Sequence, residues 1–162
     1  MSFGLTVLAT FVALGCGTPT QPLGQAELGT GTTSFEPLVA EQEFGVIAGP
    51  QGGFHFIIHA RIRELEPGDP LLPGDPGNPR TLFGAYDVNG ERLDPAFAPY
   101  RLGYVQAQGG WYELASGHIL VIDNSHVPGI YGQRVRITVD VTDRDGRSAR
   151  DERWIRAVES IF

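Results

Sequence analysis

The strongest constraint on the fold is a strict alternation of apolar and other side chains in two separate segments. In residues 54–63 every second side chain is apolar, and residues 135–141 repeat the pattern with valine and isoleucine. Because successive side chains of a strand point to opposite faces, this period of two predicts strands with one buried face and one largely solvated face. The 22 glycines and 12 prolines favour many turns and short strands over long helices.

Shorter apolar segments separated by turn residues extend this pattern along the chain. Asn89-Gly90 and Asp145-Gly146 are typical of tight hairpin turns. Further strands are predicted at residues 43–48, 81–87, 100–106, 111–115, 119–122 and 149–158. The continuous apolar run at 119–122 is expected to be a fully buried strand. Together these segments predict an all-β chain, folded as an antiparallel β-sandwich of about 7–9 strands.

A proline-rich segment interrupts the predicted strands. Between residues 66 and 80 proline recurs at every third position, which matches the three residues per turn of polyproline II. We therefore expect an exposed, rigid loop between strands, with its prolines on one side of an extended rod. A proline-rich ligand for a partner domain is the alternative.

The last hairpin carries a more specific pattern. It consists of Gly129-Ile130-Tyr131, the alternating strand at 135–141, the turn Asp143-Arg144-Asp145-Gly146 and a final strand. This pattern resembles the closing hairpin of bacterial Ig-like domains of the PKD type. The resemblance implies an Ig-like sandwich in which Tyr131 caps a corner before the penultimate strand, and it implies no particular activity.

The N-terminal segment indicates where the protein is located. The apolar run from Leu5 to Leu14 is too short to span a bilayer, which takes about 20 residues, and fits the apolar core of a signal peptide. It ends in Ala13-Leu14-Gly15-Cys16, which contains the only cysteine and resembles the lipobox of bacterial lipoproteins, although that family usually has leucine where Ala13 stands. The resemblance implies cleavage before Cys16, acylation of Cys16 with lipid such as palmitate, and a bacterial cell-envelope protein anchored to a membrane. An ordinary signal peptide with an incidental cysteine is the alternative.

These observations divide the chain into three predicted parts. Residues 1–15 form a signal peptide, residues 16–33 a lipidated cysteine with a flexible tether, and residues 34–162 the Ig-like domain. The tether is assigned because its glycine, proline and threonine content cannot bury enough apolar surface to offset the entropy of ordering.

Charge and cysteine content exclude several classes of function. The net charge of −7 argues against a nucleic-acid partner, because such proteins need a basic surface to replace counterions. A single cysteine leaves no intrachain disulfide. An envelope protein or a glycan remains as the expected partner, in addition to the membrane that the lipid anchor would contact.

The histidines and several acidic residues are candidate metal ligands. On one strand the Cα atoms of His55 and His59 would lie about 13 Å apart, too far to ligate one ion easily. Either could join His118 or His126, so a secreted or periplasmic metal-binding sandwich is the alternative function, while histidines on the solvent face are the expected arrangement. Calcium could be bound by acidic residues of the last hairpin, although turn formation also explains them: Asp140, Asp143, Asp145 and Asp151.

Ligand-binding candidates come from one loop and one pair of aromatic residues. The glycines of the loop permit unusual backbone angles or close approach of a ligand, and aromatic side chains on a sandwich can contact a glycan or a protein. The candidates are Gln51, Gly52, Gly53, His55, Trp111 and Tyr112. Asp123 to His126 contains the side chains of a hydrolytic triad, but four adjacent loop residues do not form one. We therefore expect a non-enzymatic domain.

Overall fold

The computed structural model describes residues 24–160 and confirms the all-β fold class. The strands are β1 (Gln25–Thr30), β2 (Glu36–Pro37), β3 (Glu43–Ala48), β4 (Phe54–Arg63), β5 (Arg80–Tyr86), β6 (Tyr100–Arg101), β7 (Tyr104–Gln106), β8 (Tyr112–Leu114), β9 (His118–Ile122), β10 (Arg134–Thr142) and β11 (Ser148–Glu159). A 3₁₀ turn at Gln108–Gly110 joins β7 to β8, and the helix α1 (Val127–Ile130) precedes β10. The described chain has eleven strands instead of 7–9, because several are only two or three residues long.

Strand β4 is the centre of one sheet. Arg61 pairs with Glu27 of β1 on one side and with Glu113 of β8 on the other. His55 likewise lies between Ile47 of β3 and Val121 of β9. Strand β4 is therefore paired along both edges over nearly its whole length, which fixes its alternation of buried and outer side chains.

Strands β5, β10 and β11 form the opposing sheet, and the core lies between the two. Strand β10 pairs with β11 over nine residues and with β5 over seven, in antiparallel register. The inward side chains of β4 and β10 are almost completely buried: Phe56, Ile58, Ala60, Ile62, Val135, Ile137, Val139 and Val141. The two alternating segments of the sequence thus supply the two inner faces of the sandwich-like core.

Strand β3 connects the two sheets. It pairs with β4 in antiparallel register and with β11 in parallel register, so that the sheet curls around the core. The predicted antiparallel arrangement therefore has one parallel exception. Tyr131 follows α1 immediately and packs against the core just before β10, the position at which the sequence predicts a corner.

The predicted start of the domain at residue 34 is wrong. Strand β1 lies in the segment assigned to the flexible tether, pairs with β4 over residues 25–29, and buries Leu28 in the core. Its short sequence shows little apolar content, and its order comes from pairing with a strand more than thirty residues away. The predicted signal peptide, Cys16 and the first part of the tether lie outside the described residues.

Two further expectations require correction. Strand β9 is not buried on both faces: Leu120 and Ile122 enter the core, whereas Ile119 lies on the outer face and is 55% exposed. The 64–79 loop connects two strands as predicted, but it is folded and not an extended rod. Successive turns are closed by hydrogen bonds from the amides of Leu72 and Asp75 to the carbonyls of Asp69 and Leu72.

Candidate functional site

The register of β4 and β9 separates the four histidines. His118 is directly opposite Ile58 and shares its inward face, whereas His55 and His59 lie on the outer face of the same sheet. His126 lies outside the sheet, in the turn before α1. Among residues 24–160 no group of three or more histidine, cysteine or acidic side chains is arranged to hold a metal ion.

His59 is buried, although the alternation of β4 predicts a solvent-facing side chain. The β1–β2 connection folds over it, and the Phe35 ring lies edge-on to the imidazole with centroids 5.8 Å apart. Phe35 fits there because Gly29 has no side chain; a Cβ on Gly29 would overlap the ring. Nδ1 of His59 donates to the Ala60 carbonyl at 3.3 Å, and Nε2 meets no hydrogen-bond partner among the described residues.

The surroundings of His59 and His118 favour their neutral forms. Burial lowers the pKa of His59, and the Ala60 hydrogen bond and the Glu113 charge offset this only in part. Burial also lowers the pKa of His118, which is stacked on Phe83 at 4.9 Å and meets Tyr100 edge-on at 4.5 Å. Aromatic neighbours hold both imidazole rings in place, which fits a structural role for the two histidines.

The predicted binding loop occupies one end of the domain. The turn at 49–53 is closed by a hydrogen bond from the Gly49 amide to the Gly53 carbonyl at 2.7 Å, and Gly52 has a φ of 83°. Gln51 and Gly52 are exposed at its tip, and the side-chain Nδ2 of Asn124 donates to the Gly52 carbonyl at 3.3 Å. The turn at 123–126 therefore lies beside the 49–53 turn.

A third turn completes this end of the molecule. The Asp123 amide donates to the Leu93 carbonyl at 2.9 Å, which brings the Asn89-Gly90 hairpin close to the other two turns. We call the turns at 49–53, 87–91 and 123–126 the far end. The opposite end, where Gly24 packs against Leu65, holds the 64–79 loop and the β10–β11 turn, and we call it the Gly24 end. The ten residues of β4 separate the two ends by about 30 Å.

The far end contains a cleft that the sequence did not indicate. It has a volume of about 220 Å³ and lies between the 87–90 turn and α1. Asp87, Asn89, Gln133 and Arg134 contribute polar side chains to its wall, and Ile130 is among its apolar residues. The Asn89-Gly90 turn was visible in the sequence, but its approach to α1 depends on how β5 and β10 pair.

Trp111 and Tyr112 do not form one contact surface, because they lie on opposite faces of the chain next to β8. Tyr112 pairs with Ile62 and packs against the core. Trp111 lies on the outer face, where the guanidinium groups of Arg61 and Arg63 stand 4.4 and 4.8 Å from its ring centroid. Arg61 also stands 4.4 Å from the Phe35 ring, so that its guanidinium is enclosed by two aromatic side chains.

The acidic residues proposed for calcium are engaged by protein groups. The Asp143 carboxylate is buried and accepts hydrogen bonds from three backbone amides and from Nε of Arg147. Asp151 accepts from the Leu28 amide at 2.8 Å and is paired with Arg153. Asp140, within β10, and Asp145, in the turn of the hairpin, each have an arginine within 4 Å. The predicted role in turn formation describes Asp143 well.

Within residues 24–160 no helix is long and apolar enough to cross a bilayer. Comparisons of the chain with protein-family models, with curated proteins and with solved structures each returned no match.

Proposed function

We propose that this protein is a bacterial envelope lipoprotein, anchored to a membrane through lipid on Cys16, whose β-domain is a non-enzymatic, Ig-like binding module. The anchor is proposed from the apolar run and the lipobox-like Ala13-Leu14-Gly15-Cys16. The observation that carries the binding role is the arrangement of the two ends of the domain. The chain leads into the domain at Gly24, and the polar turns of the far end lie about 30 Å away along β4.

This arrangement matches the needs of a tethered binding module. With Cys16 held at a membrane, the Gly24 end is tied close to the bilayer, and the far end is free to meet a partner. Nine residue steps join Cys16 to Gln25, a contour length of about 30 Å when fully extended. The spacer is shorter than the composition of residues 16–33 predicted, so the far end stays within about 60 Å of the anchored Cys16.

The far end offers both hydrogen-bond donors and hydrogen-bond acceptors to a ligand. The side-chain amides of Asn89 and Gln133 each provide donors and an acceptor at the cleft, and Gln51 is exposed on the neighbouring turn. Such groups recognise hydroxyl- and amide-rich ligands, which describes an envelope glycan or an exposed protein segment. Apolar residues in the cleft wall add contact area for a sugar ring or a side chain.

The anchor is tested by comparing the wild-type chain with Cys16→Ser in the cell. We expect incorporation of labelled fatty acid and recovery in the membrane fraction for the wild type, and loss of the label and of membrane recovery for the variant. Equal membrane recovery of both chains, or labelling of both, would refute lipidation at Cys16.

The binding surface is tested with a photo-crosslinker attached at an introduced cysteine. Gln51→Cys places the probe at the far end, and Arg144→Cys places a matched exposed probe in the β10–β11 turn. We expect crosslinks to envelope protein or glycan from position 51 and few from position 144. Equal crosslinking from the two positions would contradict a binding role for the far end.

A further inference from the structure

The 64–79 loop carries an exposed apolar tip. Leu71 is 85% exposed and Leu72 is 54% exposed, and prolines flank the pair on both sides. Two adjacent exposed leucines between prolines form a small apolar patch, which is available for contact with another apolar surface. We call residues 70–73 the leucine tip.

The leucine tip is held in place by a buried asparagine. Asn78 is only 1% exposed, and its side-chain oxygen accepts from the Asp69 amide at 2.7 Å. Its side-chain nitrogen donates to the carbonyls of Asp69 and Leu72, at 3.2 and 2.9 Å. The leucines therefore project from a fixed scaffold, and ordering them costs little conformational entropy when they bind.

The loop is also fastened to the rest of the domain. The Arg101 guanidinium donates to the carbonyls of Pro76 and Asn78, and the Tyr104 amide donates to the Pro67 carbonyl at 2.9 Å. Gly103 lies against the backbone of Asp69 and Pro70, where a Cβ would overlap them. The inner side of the loop is thus packed on the domain, and the leucines face away from it.

The position of the loop relates it to the chain that leads to Cys16. The loop begins next to Leu65, which packs against Gly24, and Gln25 is paired with Arg63. A fully extended chain from Cys16 to Gln25 spans about 30 Å. Leu71 is six residues beyond Leu65, which adds about 20 Å at most. The leucine tip is therefore at most about 20 Å from Leu65, whereas the far end lies about 30 Å from the Gly24 end, so the tip is the apolar surface nearer to an anchor at Cys16.

We propose that the leucine tip inserts into the interface of the membrane to which the protein is anchored, with Leu71 and Leu72 as the inserted side chains. This inference rests on the proposed lipidation of Cys16. Transfer of leucine side chains from water into the acyl boundary is favourable, and a second apolar contact adds to a lipid anchor. Asp69 and Asp75 place negative charge near the tip, so the contact suits zwitterionic lipid and gains nothing from anionic headgroups.

The insertion is tested with the full-length, lipidated chain on vesicles of phosphatidylethanolamine and phosphatidylcholine. An acylated Cys16 has no free thiol, so a polarity-sensitive fluorophore reports only from an introduced cysteine, Leu72→Cys. The matched control is Val88→Cys, an apolar position of similar exposure, 59%, at the far end. Nitroxide-labelled lipid is expected to quench the probe at position 72 about threefold or more strongly than the probe at position 88, as interfacial burial of the tip requires.

The possible failures of this experiment are distinguishable. If the chain does not float with the vesicles, or if the wild-type chain reacts with the fluorophore at Cys16, the proposed anchoring is wrong and the inference falls with it. If the chain floats but positions 72 and 88 are quenched equally, the anchoring stands and insertion of the leucine tip is refuted.

A second variant separates lipid from a protein partner. In the Cys16→Ser background, replacing both leucines with serine is expected to lower vesicle partitioning about tenfold or more, with an unchanged circular dichroism spectrum because both side chains are exposed. Unchanged partitioning would overturn the proposal. Shielding of the position 72 probe in vesicle-free solution, with a doubled molecular mass, would assign the tip to a second copy of the chain and also overturn it.

Discussion

Removal of the Asp143 carboxylate should destabilise the domain more than any other charge change in the β10–β11 turn. Its Oδ1 accepts from the amides of Asp145 and Arg147 at 3.0 and 2.9 Å. Its Oδ2 accepts from the amide of Glu66 at 3.0 Å and from Nε of Arg147 at 2.8 Å. One buried side chain therefore closes the turn and ties it to the start of the 64–79 loop.

The magnitude follows from these four bonds. A net hydrogen bond contributes about 0.5–1.5 kcal/mol, more when one partner is charged, and a buried amide left unpaired costs about 1–3 kcal/mol. For Asp143→Ala we expect a loss of about 3–4 kcal/mol in the free energy of unfolding, after allowing for rehydration of the partly exposed donors. Asp143→Asn should lose about 2–3 kcal/mol, because its NH₂ group would face other donors on one side.

The assay is urea unfolding at pH 7, followed by tryptophan fluorescence and circular dichroism. The control is Asp145→Asn, in the same turn but with an exposed carboxylate, for which we expect a change within about 0.5 kcal/mol. Equal stability of Asp143→Asn and the wild type would refute the assigned role of this carboxylate.

Acid adds a second test of Asp143. Burial raises the pKa of this carboxyl. Hydrogen bonds from Glu66 and Arg147, together with the charge of Arg147, lower the pKa by more than burial raises it, so the pKa is below the usual 3.8. A lowered pKa in the folded state gives stability that is present above the unfolded pKa and is lost as the pH falls through the folded pKa. The difference between the wild type and Asp143→Asn should therefore shrink below about pH 4, and a constant difference down to pH 2 would contradict the argument.

Three other predictions concern burial and close packing. The pKa of buried His59 lies below its unfolded value of about 6.5, so the free energy of unfolding should decrease as the pH drops below that value. His59→Leu should make this free energy less dependent on pH when urea unfolding is measured between pH 7 and 5. An unchanged pH dependence in the variant would contradict the role of His59. Gly29→Ala would place a Cβ against the Phe35 ring and 2.6 Å from the Glu36 carbonyl oxygen, and should cost about 1–3 kcal/mol, whereas Gly53→Ala points into open space and should cost less than about 0.5 kcal/mol. Gly103→Ala should displace the 64–79 loop and speed its proteolysis severalfold, while the core transition measured by circular dichroism changes less; protection equal to the wild type would show that the loop does not depend on this contact.

The hydrophobic core is the part of the fold that the sequence predicts best. A period of two determines which side chains can share a face, and β4 and β10 bury the expected sets. The turns at Asn89-Gly90 and Asp145-Gly146 also form as predicted, because their residue types favour tight turns through local interactions. These features depend on neighbours in the chain.

The predictions that failed depend on residues far away in the chain. The sequence of β1 predicts a flexible segment because its six residues carry little apolar surface to bury. In the structure, pairing with β4 orders it. The alternation predicts that His59 faces solvent, whereas in the folded chain Phe35, above Gly29, packs against its ring. The continuous apolar run predicts that Ile119 is buried, but its side chain lies on the outer face and is 55% exposed.

The candidate site divides in the same way. Residue types and spacing were enough to identify the turns that could carry a binding loop, and to identify Cys16 as the residue to test for lipidation. Strand pairing brings the turns at 49–53, 87–91 and 123–126 together at one end and separates the four histidines, and neither result could be predicted from the sequence. The same holds for the leucines at 71 and 72, which Asn78 holds outward. This difference arises because a strand pattern fixes the face on which a side chain lies, whereas strand pairing and loop packing fix what lies opposite that face.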